Sequence, residues 1–149
     1  MITETDYGKV TPSMVNSYPP TLNDLVLAVH TLAKEKGWWE DPGKTERIEA
    51  RATLHMLMVT ELAEATESLR SNEPPIWQWD TTTFGKVILP DDPAWNVLEK
   101  PEGELTELAD VVIRIMDYCG AMGWDLENAI LLKHRFNKTR SIRHGGKAF

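Results

Sequence analysis

The chain has one cysteine, Cys119, so no disulfide can form within it. Cys119 lies in an apolar stretch, where a thiol packs as a small hydrophobe, and such sparing use of cysteine suits a reducing compartment. Long apolar runs are missing too. Nothing approaches the ~18 residues of a membrane span, and Met1 to Pro20 lacks the apolar centre of a signal peptide. The expectation is a soluble cytoplasmic protein with no membrane partner. None of the four histidines (His30, His55, His134, His144) has a glutamate three residues before it. The Glu-x-x-His pairs of di-iron bundles are therefore absent, and the shortage of Cys and His ligands disfavours zinc. No internal repeat or low-complexity tract stands out. Acidic residues are missing from the end of the chain, where none follows Glu127.

The 149 residues, 42% hydrophobic and 26% charged, fit one domain with a modest core. A net charge of −7 argues against general nucleic-acid affinity. Its distribution is uneven: Lys133, Arg135, Lys138, Arg140, Arg143 and Lys147 fall in the acid-free tail, with His134 and His144. An acidic body with a basic tail can hold cations in one place and phosphates in another. The same charges also suit the C-terminal end of a helix dipole.

Residues 1–20 are polar, end in Tyr18-Pro19-Pro20 and read as an extended arm. Thr21-Leu-Asn-Asp24 is a capping-box-like start. From there Leu22, Leu25, Val26, Val29, Leu32 and Ala33 recur at helical spacing until Gly37. After a turn at Asp41-Pro42-Gly43, Thr45 is expected to cap a second helix ending near Leu69 or Arg70. Residues 71–103 break the periodicity with five prolines and three tryptophans. Within them Ile76 to Trp79 and Lys86 to Leu89 can pair as a small hairpin, and the connection reads as a lid or packing arm. A third helix is expected from about Glu102 to Ala121, and a fourth, capped by Asp125, from Leu126 to about Lys138. The expected fold is all-α, with four main helices in residues 21–140, the irregular 71–103 insertion, and a Gly-containing basic tail, 141–149.

The acidic residues carry the chemistry. Glu61-Leu-Ala-Glu64 and Glu107-Leu-Ala-Asp110 each set two carboxylates one turn apart on a helix face. Two such helices side by side converge four acids, an arrangement that calls for a hard cation; oxygen-only ligands point to Mg²⁺, with Mn²⁺ as a substitute. Glu61 falls inside the stripe of Leu54, Leu57, Met58, Leu62, Ala65 and Leu69. An ionised Glu there asks for a compensating charge. On the third helix Leu105, Leu108, Val112, Ile115, Met116 and Cys119 form one stripe, with Glu107 and Asp110 on the other side beside Val111. A helix apolar on two faces is buried on two faces, so a second subunit is expected to complete the bundle as a dimer or tetramer.

These segments resemble a known group. Glu61-Leu-Ala-Glu64-Ala-Thr-Glu67-Ser-Leu-Arg70 and Lys100-Pro-Glu-Gly103-Glu-Leu-Thr-Glu107-Leu-Ala-Asp110-Val-Val-Ile-Arg114 are similar to the MazG-like all-α nucleoside triphosphate pyrophosphohydrolases. Lys133-His-Arg-Phe-Asn137-Lys-Thr-Arg140, Arg143-His-Gly-Gly-Lys147 and Lys36-Gly-Trp-Trp39 add to the likeness, which covers roughly residues 22–70 and 100–149. The resemblance implies cleavage between the α and β phosphates, giving a monophosphate and pyrophosphate. It makes Glu61, Glu64, Glu107 and Asp110 the Mg²⁺ ligands and catalytic acids, and Lys133, Asn137 and Arg140 phosphate contacts. Arg143 and Lys147, from a tail turned by Gly145-Gly146, are expected to join them. Trp38, after the first helix, is a candidate to stack on the base. Glu67 and Glu104 read as neighbouring surface acids. Thr60 stands where many members have a further Glu, and the 71–103 connection is longer than usual, so neither the water-activating base nor lid contacts carry over.

The substrates this implies are dCTP, dUTP or a non-standard nucleotide. Two alternatives stand beside it: a phosphoribosyl-ATP-type or other nucleotide pyrophosphohydrolase, and a non-catalytic helical oligomeric interaction module.

Overall fold

The computed structural model describes residues 21–88 and 99–140. The arm 1–20, the tail with Arg143 and Lys147, and residues 89–98 of the connection lie outside this range. The fold is all-α: five helices and one small hairpin among the described residues. Helix α1 is Leu22–Glu35, α2 the single turn Gly43–Glu46, α3 Ile48–Arg70, α4 Glu104–Met122 and α5 Leu126–Thr139; β1 (Trp77–Asp80) and β2 (Gly85–Ile88) form the hairpin.

Local chemistry sets most of these limits. Thr21 Oγ1 accepts from the Asp24 amide at 3.1 Å and opens α1. Gly37, at φ +81°, closes it by turning the Gly37 and Trp38 amides onto the carbonyls of Lys34 and Ala33. Asp125 accepts from the Asn128 amide at 2.9 Å and opens α5. The second helix departs from expectation. Thr45 caps nothing: it sits inside α2 with its hydroxyl turned back to Pro42 O, and α3 begins only after the extended Arg47. Asp41 is the reason. It accepts from the Gly43 amide at 2.9 Å and from the Arg47 guanidinium at 2.6 Å, closing a separate turn before the long helix.

Helices α3 and α4 run antiparallel, as three cross-helix pairs show: Arg51 with Tyr118, Glu61 with Arg114, and Glu64 with Glu107. Helix α1 lies along the second half of α4, where Val26, Met116 and Cys119 form the buried core, flanked by Leu22, Leu25, Val29, Ile115 and Leu126. His30 packs so closely on Gly120 that an added Cβ would stand 2.6 Å from His30 Cβ. Helix α5 is joined to α1 through its first turn, by Asn23 Nδ2 to Asp125 at 2.8 Å.

This packing decides which side of α4 its own chain covers. Met116 and Cys119 are buried, but Leu105, Leu108 and Val112 of the same stripe are exposed, because α1 covers only the C-terminal half of the helix. The acidic side turns inward instead, against α3, with Glu107 the most buried residue on it. Likewise Leu62 and Leu69 of the α3 stripe are exposed. No helix among the described residues is long and apolar enough to cross a membrane.

The hairpin pairs Trp77 with Ile88 and Asp80 with Gly85, shifted by one residue from the expected strands. It is tied to the start of α4: Trp77 and Glu102 exchange backbone hydrogen bonds of 2.9 and 2.7 Å, and the Leu105 amide reaches Pro75 O. Lys86 fastens it further, bonding Glu73 at 2.7 Å while lying 4.0 Å from the Trp77 ring centre.

Candidate metal centre and adjoining cavity

Glu61 and Glu64, one turn apart on α3, face Glu107 from the first turn of α4. One carboxylate oxygen from each lies within 4.8 Å of the other two. Glu61 and Glu107 are buried, and Glu64 is exposed. Burial pushes the Glu107 carboxyl above the usual glutamate value; Lys100 opposes this, while the charges of Glu64 and Asp110 add to it. Glu107 Oε2 is buried without a hydrogen-bond partner, an arrangement that costs free energy unless something positive meets it. Asp110 is not one of the three converging acids. It is half-buried, and burial followed by the charge of Glu61 raises its carboxyl above the usual aspartate value, against the pull of Lys100 and Arg114.

Two cations accompany the acids, and neither was assigned a role from the sequence. Arg114 Nε and Nη2 reach Glu61 Oε1 at 2.7 and 2.5 Å, supplying the compensating charge that a buried Glu61 demands. The signal was present in the spacing: Arg114 stands four residues after Asp110 and seven after Glu107, on their helix face. Lys100 Nζ lies 3.3 Å from Glu102 Oε2 and 3.7 Å from Glu107 Oε1. Burial works against its charge, but the Glu102 hydrogen bond and the charges of Glu107, Glu102 and Glu64 prevail and hold the ammonium above its ordinary pKa.

A cavity of about 690 Å³ opens beside the acids, between α1, the turn after it, α3 and α4. Asp110 and Arg114 belong to its wall, so acids and cavity share a border. Val29, Leu54, Leu57 and Ile113 give it an apolar surface, Trp38, Trp39 and Tyr118 an aromatic one, and Lys36, Lys44 and Arg47 a basic one. Lys36 stood in the sequence only as the start of Lys36-Gly-Trp-Trp39, and Lys44 and Arg47 carried no signal, because the turn that gathers them has no period. Trp38 is well exposed there. Trp39 is pinned, donating from Nε1 to Asp117 Oδ1 at 2.8 Å, and His30 Nδ1 meets the same oxygen at 2.7 Å. No family model, curated protein or solved structure matches the chain.

The other candidates sit elsewhere in the fold. Lys133 and Asn137 on α5 and Arg140 just after it are exposed, with Lys133 and Arg140 lying 5.5 and 5.9 Å from the Phe136 ring centre. No hydrogen bond or ion pair joins them to the four acids among the described residues. Thr60 spends its hydroxyl on Leu57 O at 2.7 Å, and Glu67 pairs with Arg70 on the surface. The oxygen-only set and the orphaned Glu107 Oε2 suit a hard cation such as Mg²⁺.

Proposed function

We propose that this chain is a Mg²⁺-dependent nucleoside triphosphate pyrophosphohydrolase of the MazG-like kind its motifs resemble. The observation that carries the reading is the convergence of one carboxylate oxygen each from Glu61, Glu64 and Glu107, with Glu107 Oε2 buried and unpartnered, next to Asp110 and Arg114 in the wall of a large aromatic cavity. Glu61, Glu64 and Glu107, with Asp110 beside them, would hold Mg²⁺ or Mn²⁺. Such an ion, when bound, neutralises the phosphates and acidifies an attacking water. Trp38 and Trp39 offer ring faces to a base, and the apolar wall excludes water around it. Lys36, Lys44 and Arg47 supply positive charge toward the phosphates, and Arg114 holds Glu61 in place. The products are a nucleoside monophosphate and pyrophosphate.

The same reading makes the protein a homo-oligomer. Leu105, Leu108 and Val112 on α4, and Ile130, Leu131 and Phe136 on α5, are exposed in the single chain and offer apolar surface for a second copy to cover. It also assigns Lys133, Asn137 and Arg140 to phosphates held in a site shared with a second copy. Sedimentation at micromolar concentration is expected to give an assembly of at least twice 16.9 kDa; a compact monomer would remove the shared site.

Pyrophosphate release from a panel of triphosphates, including dCTP, dUTP, non-standard nucleotides and phosphoribosyl-ATP, tests the activity and separates its substrate classes. Release is expected with Mg²⁺ and not with chelator. No release from any member would end the hydrolase reading. One observation favours a non-catalytic helical module instead: Arg114 and Lys100 already offset two of the acids. That reading expects melting to be indifferent to Mg²⁺ and Mn²⁺, whereas a metal that binds only the folded state raises the melting temperature.

A further inference from the structure

The two cations at the acids are held in opposite ways. Arg114 is half-buried and bonds Glu61 through two nitrogens at short distance, in the geometry of a permanent partner. Lys100 has a side chain 60% exposed, and its ammonium meets Glu102 at 3.3 Å and Glu107 at 3.7 Å, both long for a charge-assisted bond. Two residues further on, the Glu102 amide and carbonyl are both paired with Trp77. An exposed, loosely bound ammonium thus lies beside a carboxylate whose second oxygen is buried and unpartnered.

We propose that Lys100 is a built-in placeholder for the divalent cation. Its ammonium lies in the field of Glu107 and Glu64 when no metal is bound, and leaves when one arrives. The exchange needs only rotation of the exposed side chain, so the hairpin and α4 keep their backbone positions. The displaced ammonium stays beside the acids, available to an anion that accompanies the metal. Arg114 takes no part in the exchange, since releasing it would leave Glu61 buried and uncompensated. This inference rests on the metal reading above.

Direct Mn²⁺ titration of the full chain, followed by the electron paramagnetic resonance signal of free Mn²⁺, tests it without any substrate. Lys100→Met keeps the length of the stem and removes the charge. It is expected to tighten Mn²⁺ binding by about two- to fivefold, the range expected for removal of an exposed ionic competitor. Lys100→Arg, which keeps the charge, is expected to bind Mn²⁺ no more tightly than wild type. If wild type binds Mn²⁺ and Lys100→Met binds it equally or more weakly, the placeholder is overturned while the metal site stands. If neither protein binds Mn²⁺, the metal site and the placeholder fall together.

Discussion

Glu107→Gln is expected to lower kcat for pyrophosphate release by about 10²–10³-fold, as for loss of one charge-stabilising group at a reacting centre. The same change is expected to raise the melting temperature of the metal-free protein by a few degrees. The amide keeps the shape of the buried side chain and removes a charge that burial disfavours. A pH signature accompanies it. Burial raises the folded-state pKa of Glu107 above 4.5, so the folded protein binds the proton more tightly than the unfolded chain does. The resulting stability is fully present below 4.5 and is lost as pH rises through the raised value. Metal-free wild type should therefore lose stability across that window, and Glu107→Gln should show a flatter profile. Paired calorimetry and kinetics check all three effects; wild-type turnover by Glu107→Gln in Mg²⁺ would remove Glu107 from the site.

Gly103→Ala is expected to cause a comparable loss on the stability side. Gly103 precedes α4 at φ +114°, where an added Cβ would stand 2.5 Å from Pro74 O and 2.6 Å from Pro75 O. Both obstacles are backbone, and the Pro75 carbonyl is already engaged by the Leu105 amide. Relief therefore means detaching the hairpin from the helix start. Strain of this kind costs about 3 kcal/mol or more once steric overlap is added to the unfavourable dihedral, which for a domain of this size is roughly a 10 °C fall in Tm. Gly123→Ala is the control: its φ of +65° is also left-handed, but nothing lies within 4 Å, so the expected cost is about 1–2 kcal/mol. Equal melting of Gly103→Ala and Gly123→Ala would refute the steric argument.

Periodicity and caps made α1, α4 and α5 legible within about two residues, because Thr21, Gly37 and Asp125 act on their own neighbours in sequence. The break at Arg47 was not legible, since it depends on Asp41 gripping two groups across a turn. Which side of α4 its own chain covers was not legible either. A stripe says which side of a helix is apolar, but not that the covering helix stops halfway, leaving Leu105 to Val112 uncovered. Three acids converge as the i, i+3 spacing indicated. Asp110 stands apart from them beside Glu61, and pattern alone did not place it there. Lys100 and Arg114 lay inside the quoted motifs but acquired a role only when packing set them against particular carboxylates.

The solitary thiol gives the fold a clock. Cys119 is packed against Val26 and Met116 and is only 7% exposed, and burial pushes its thiol above the ordinary cysteine value. Thiolate, not thiol, attacks labelling reagents, so the native state is silent toward them. With no second cysteine in the sequence, labelling reports on the α1–α4 core alone: on the population of its open form when reclosing is fast, and on the opening rate when labelling outpaces reclosing. A ligand held only by the closed form lowers the open population and slows the clock.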